Sequence, residues 1–132
     1  MSEKLCALRK IGGGMSETVL WTNSAPSSTF SGQTITMLNS YTSFNYLKIR
    51  YKNTTSSNTY NEVIIPTDRL PRMEATMEYR VGLGVFISSI IYFRSVNTTG
   101  NTSELNISNC ARFNNSGLDN SNVIPLSIIG MK

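Results

Sequence analysis

The chain has 132 residues, enough for one domain, with twelve Lys and Arg against eight Asp and Glu, a net charge of +4 and only 15% charged residues. Fourteen Asn, eighteen Ser and fourteen Thr supply the polarity that charges normally carry, a bias that favours strands and turns over surface helices. The absence of histidine excludes Ser-His-Asp and Cys-His nucleophiles and imidazole metal ligands, and two cysteines, Cys6 and Cys110, suffice for neither a four-thiolate zinc site nor a disulfide scaffold.

Residues 1–14 read as an N-terminal arm. Leu5, Leu8 and Ile11 fall at helical spacing and suit a short helix docked on a partner, a disordered terminus being the alternative. Gly12, Gly13 and Gly14 then form a flexible joint, lacking the strand before and the Lys-Ser/Thr tail after that a phosphate loop requires. The arm has no signal-peptide pattern, and no stretch approaches the roughly 20 apolar residues of a membrane helix, so neither Sec export nor membrane insertion is expected.

From residue 15 onward the pattern predicts short strands separated by polar turns. The first, 17–22, ends in a loop containing Pro26, and the second spans 33–38. Residues 46–52 give the cleanest period of two: Leu47, Ile49 and Tyr51 form a core face, and Lys48, Arg50 and Lys52 a wet, basic one. A nine-residue polar excursion, 53–61, looks too long for a tight hairpin, and a short strand at 62–66 follows.

Met73, Ala75, Met77 and Tyr79 alternate with polar residues as another half-buried strand. Residues 83–93 are apolar on both parities, which predicts one central strand covered on two sides, with Gly82 and Gly84 marking a bulge or close backbone approach. Alternation resumes over 105–113, and an apolar strand at 123–131 follows a third polar loop. About eight strands with no convincing helix predict an all-β fold, an antiparallel β-sandwich or jelly roll over 15–132.

Few residues offer chemistry. Glu74 and Glu78 would stand about 13 Å apart on one strand, too far for a glycosidase pair, so no catalytic residue, metal site or cofactor is expected. The Lys48, Arg50 and Lys52 face with its neighbouring tyrosines faintly suggests a single-strand nucleic-acid platform, yet a +4 chain supplies little driving force and nucleic acid is not an expected partner. Five Asn-x-Ser/Thr triplets, at Asn53, Asn97, Asn101, Asn106 and Asn114, follow from composition. Saccharide recognition suits the loops better, because Asn, Tyr and Arg offer the mixed donors and acceptors that hydroxyl groups need. The candidate groupings are Tyr60 with Asn58 and Asn61, and Arg112 with Asn114 and Asp119. Trp21, the one tryptophan, reads as core.

Residues 6–14 (CALRKIGGG), 18–30 (TVLWTNSAPSSTF) with 33–35, 46–51 (YLKIRY) and the ending 124–132 (IPLSIIGMK) resemble, in order, small proteins encoded among the tail genes of phages and prophages of Gram-positive bacteria. The ending is similar to the closing motif of tail-fibre-like and baseplate-associated domains. The resemblance implies a β-sandwich carried in several copies, often trimers, on the virion beside other virion proteins, with host-surface polysaccharide as target. An alternative of a different class is a structural accessory, decoration or head-fibre protein docked through its arm, without ligand.

Overall fold

The computed structural model describes residues 15–70, 81–87, 90–113 and 115–132. The expected arm with Leu5, Leu8, Ile11 and its glycine joint lies outside these residues, as do the expected strand at 73–80 with Glu74 and Glu78, and Asn114.

The chain folds as an antiparallel β-sandwich of two sheets. The first contains β1 (Glu17–Thr22), β10 (Asn122–Met131), β3 (Tyr46–Thr54) and β4 (Tyr60–Pro66), in that spatial order. The second is built on β6 (Ile90–Thr98), which pairs with β5 (Val81–Ile87) along one edge. Along the other edge β7 (Glu104–Ile107) and β8 (Ala111–Arg112) follow each other as two halves of one interrupted strand. β2 (Gln33–Thr36) pairs with β7, and β9 (Asn115–Leu118) with β8.

Alternation explains the core. On β3, Leu47 and Ile49 are fully buried and Tyr51 nearly so. They meet Leu83, Val96, Leu105 and Ile107 of the second sheet in one apolar cluster. Tyr51 also crosses the sandwich, its hydroxyl donating to the Gly84 carbonyl at 3.0 Å. Trp21 is half-buried against this cluster, edge-on to Phe30 at 6.1 Å.

Arg94 is the largest wholly buried side chain among the described residues. Among the described residues no carboxylate forms an ion pair with it, and its guanidinium donates to four backbone carbonyls: Val123 (2.6 Å), Ser108 (2.9 Å), Asn122 (3.1 Å) and Asn120 (3.4 Å). Burial pushes this guanidinium down to about 10, the Coulombic influence of Cys110 opposing the shift. The arrangement fastens β6 to the turn entering β10, where Val123 takes a positive φ of 49°, a conformation unfavourable for a β-branched residue. Cys110 beside it is a free, buried thiol.

The expected all-β antiparallel sandwich is the fold observed, with ten strands among the described residues. Several finer expectations are corrected. The expected single strand at 83–93 is a hairpin: the chain reverses between Ile87 and Ile90, whose Cα atoms are register partners. Nor is it covered on both sides, since Leu83 and Val85 are buried but Phe86, Ile91 and Phe93 are exposed. A Cβ at Gly82 would meet nothing within 4 Å, and one at Gly84 only the Tyr92 carbonyl oxygen at 3.8 Å, so neither marks a close approach.

The expected excursion at 53–61 shrinks to a five-residue connection, because β3 runs to Thr54 and β4 begins at Tyr60. The basic face of β3 is wet only at Arg50, whose side chain is 33% exposed. Lys48 and Lys52 are each 8% exposed, because β3 is an inner strand flanked by β10 and β4.

Candidate functional site

The outer face of the four-stranded sheet is built from the alternate residues that the core does not use. Lys48 and Arg50 on β3 face Glu17 on β1 and Glu62 on β4. The Lys48 ammonium is 2.6 Å from Glu17 Oε1 and 3.8 Å from Glu62 Oε2, while Arg50 Nε is 3.3 Å from Glu62 Oε1. Lys52 donates to the Thr55 carbonyl at 2.9 Å. The cations are therefore matched locally. Glu17 and Glu62 are brought near each other from different strands, but an ammonium sits between them, in the space an acid and a nucleophile would share. Among the described residues no group of three His, Cys, Asp or Glu side chains is placed to hold a metal ion.

Next to this ladder lies an open groove of about 390 Å³, lined by the apolar residues Val19, Pro26, Leu126 and Ile129 and by Thr22, Asn23, Arg50, Tyr60 and Ser127. Tyr60 opens β4 and is 54% exposed, so its ring is available to a ligand. It is also held: the Arg50 guanidinium lies 5.1 Å from the ring centroid, a cation–π contact on a residue already tied to Glu62. Asn23 is fixed at the opposite rim, donating to the Pro125 carbonyl at 2.8 Å and accepting from the Ala25 amide at 2.9 Å. A supported aromatic face, apolar flanks and nearby hydroxyls form the combination that saccharides use, stacking their C–H faces on a ring while hydroxyls find donors and acceptors.

The structure redistributes the sequence-predicted residues. Tyr60 alone joins the groove. Asn61, its neighbour, points to the opposite side of the sheet by strand alternation and donates to Asn53 Oδ1 at 2.8 Å, and Asn58 is exposed in the β3–β4 connection. Of the second grouping, the two described members, Arg112 and Asp119, are engaged elsewhere. Arg112 stacks inward on Tyr92, 5.8 Å from its centroid, with its Nε buried and without a hydrogen-bond partner among the described residues. Asp119 is occupied by the turn before β10, accepting from the Ser121 amide and hydroxyl and, at 3.0 Å, from the Asn122 side-chain amide.

Sequence reasoning missed Arg50 as a groove residue, together with Val19, Thr22, Asn23, Pro26, Leu126, Ser127 and Ile129. Their convergence depends on β10 lying between β1 and β3, a long-range pairing that no local pattern announces. Only the period of two on β3, which puts Arg50 opposite the core face, pointed there.

No protein-family model matches the chain, and no curated protein matches its sequence.

Proposed function

We propose that this chain is a phage virion protein, a tail- or baseplate-associated module that recognises host-surface saccharide through the groove at Tyr60. The observation that carries the reading is Tyr60 itself, an exposed ring held against Arg50 at the rim of a groove that also offers hydroxyl and amide groups. The likeness to tail-gene proteins of Gram-positive phages supplies the biological setting, with the module carried in several copies among other virion proteins. In that setting each site binds weakly, and effective concentration raises the avidity of the assembly. No catalytic step, cofactor, metal or nucleic acid enters this reading.

The test is adsorption of the multivalent, bead-coupled chain to Gram-positive cells and to their purified wall polysaccharide. Tyr60→Ala removes the stacking face and is expected to lower binding tenfold or more, whereas Arg112→Ala, whose side chain packs inward, leaves binding per folded molecule unchanged. Undiminished adsorption by folded Tyr60→Ala removes the groove from the reading. A wild-type chain that ignores cells and polysaccharide alike assigns the protein to virion structure instead.

A further inference from the structure

The outer face of the second sheet has the opposite character to the groove. Strand alternation sends Leu83, Val85, Tyr92 and Val96 inward, so Phe86, Ile91 and Phe93 must point outward. Phe86 and Ile91 are register partners, and Phe93 faces Gly84 across the β5–β6 pair. Ala111 sits beside Phe93 and opposite Leu118, and the Phe113 amide donates to the Ile91 carbonyl at 2.8 Å. The result is one continuous apolar patch across β5, β6, β8 and β9. Phe86 is 68% exposed, Leu118 62%, Phe113 58%, Ile91 42% and Phe93 40%.

We propose that this face is an interface between copies of the chain. Its extent is the first reason. Taking roughly 200 Å² for a fully exposed aromatic and somewhat less for Ile or Leu, these five side chains leave about 500 Å² of apolar surface in one patch, near the top of what a monomer displays. A stable interface buries about 800 Å² per partner, so the patch supplies an interface core that needs only a polar rim. That rim is present where the same face continues onto β7, through Ser95, Asn97 and Asn106.

Charge is the second reason. Each copy carries +4, and a contact between identical molecules must avoid stacking that charge. The five side chains of the patch are uncharged, and the cations nearest in sequence, Arg94 and Arg112, are turned into the sandwich. A charged partner would gain nothing here, while a second copy meets no repulsion. Relief is the third reason. Beside the phenylalanines, Gly82 and Gly84 leave open hollows in the same surface, so one face supplies both the projections and the recesses that a matching copy needs.

The inference does not depend on the saccharide reading, and the measurement separates the two. Size exclusion with light scattering on the full chain, over a wide concentration range, should give a mass that is a multiple of 14.6 kDa. Phe86→Glu places a carboxylate per copy in the contact and should abolish the oligomer peak. Leu118→Lys, on β9, should do the same and decides the matter if Phe86→Glu loses its strand circular dichroism. A wild-type chain that stays monomeric throughout overturns the proposal, as does an oligomer that survives both substitutions in folded protein. A monomer that binds polysaccharide would overturn this interface and leave the groove standing. An oligomer that ignores polysaccharide would do the reverse.

Discussion

Replacing Arg94 by Met keeps an unbranched side chain and removes every donor, together with the guanidinium that lies 5.2 Å from the Phe30 ring centroid. Four carbonyls then lose a charged partner, those of Asn122 and Val123 in buried hydrogen bonds and those of Ser108 and Asn120 in part-buried ones. A hydrogen bond from a charged group contributes about 1.5–3 kcal/mol, and a buried acceptor left unmet costs about 1–3 kcal/mol. Against this stands relief from holding a guanidinium out of water, itself several kcal/mol, so the net loss is expected near 3–5 kcal/mol. For a domain of this size that corresponds to a fall in Tm of about 10–20 °C. Lys48→Met is the internal comparison: its partners Glu17 and Glu62 are both partly exposed and stay hydrated, so its loss should cost about 1 kcal/mol. Urea and thermal unfolding followed by circular dichroism measure both. Hydrogen exchange should also show faster opening of the amides around residues 122–124 in Arg94→Met. If Arg94→Met unfolds within a few degrees of wild type, the guanidinium is not what holds the turn to β6, and the reasoning fails.

Gly32 is packed against a neighbouring loop, where an added Cβ would lie 2.5 Å from the Asn109 amide nitrogen, so Gly32→Ala should cost about 1–3 kcal/mol by pushing backbone apart. Gly82→Ala, whose Cβ would enter open space, should leave monomer stability unchanged or raise it by about 0.4–1 kcal/mol, and denaturant midpoints of the two compared at equal protein concentration check the contrast. Burial pushes the Cys110 thiol above its ordinary 9.0, so Cys110 should resist iodoacetamide in the native protein and react once urea unfolds it, as read by peptide mapping. Because the folded thiol holds its proton longer than the unfolded one, its contribution to stability is complete below pH 9 and declines as pH rises above it. A midpoint that increases through that range in wild type, relative to Cys110→Ser, would contradict the assignment.

Where one face of a strand is buried and the other polar, the sequence reports the fold directly. Leu47, Ile49 and Tyr51 alternate with Lys48, Arg50 and Lys52, and the core face of β3 is the one expected. The hairpin at 81–98 escaped this reading because its outer face is apolar as well. Read as one strand, Phe86 falls on one parity and Ile91 and Phe93 on the other, which makes both sides look buried, and Ser88 and Ser89 give no Gly, Pro or Asn signal for the reversal. Lys48 and Lys52 misled for a different reason: alternation tells which face a side chain takes, not how closely neighbouring strands enclose it. The candidate site was legible only in part. Tyr60 was recognisable as an exposed aromatic beside a polar turn, but Asn58 and Asn61 were grouped with it by sequence proximity, which strand geometry separates. Asp119 and Arg112 carried suitable functional groups whose capacity is spent on a turn and on the core, information held in three-dimensional pairing alone.

The spatial order β1-β10-β3-β4 has a consequence in time. The two strands that β10 separates are synthesised early, and the strand that joins them follows about a hundred residues after β1; Ser16 and Lys132, which hydrogen-bond across this seam, are 116 positions apart. Until β10 emerges from the ribosome, β1 and β3 each present an unpaired edge, and Leu20, Leu47 and Ile49 await Ile124 and Ile128 to complete the core. Nascent chains therefore pass through an interval in which half the sandwich is open to pairing with other molecules. Closure of so distant a contact is slow compared with local hairpin formation. The β3–β4 and β5–β6 hairpins can form while the ribosome is still working, and insertion of β10 is the event that converts them into a sandwich.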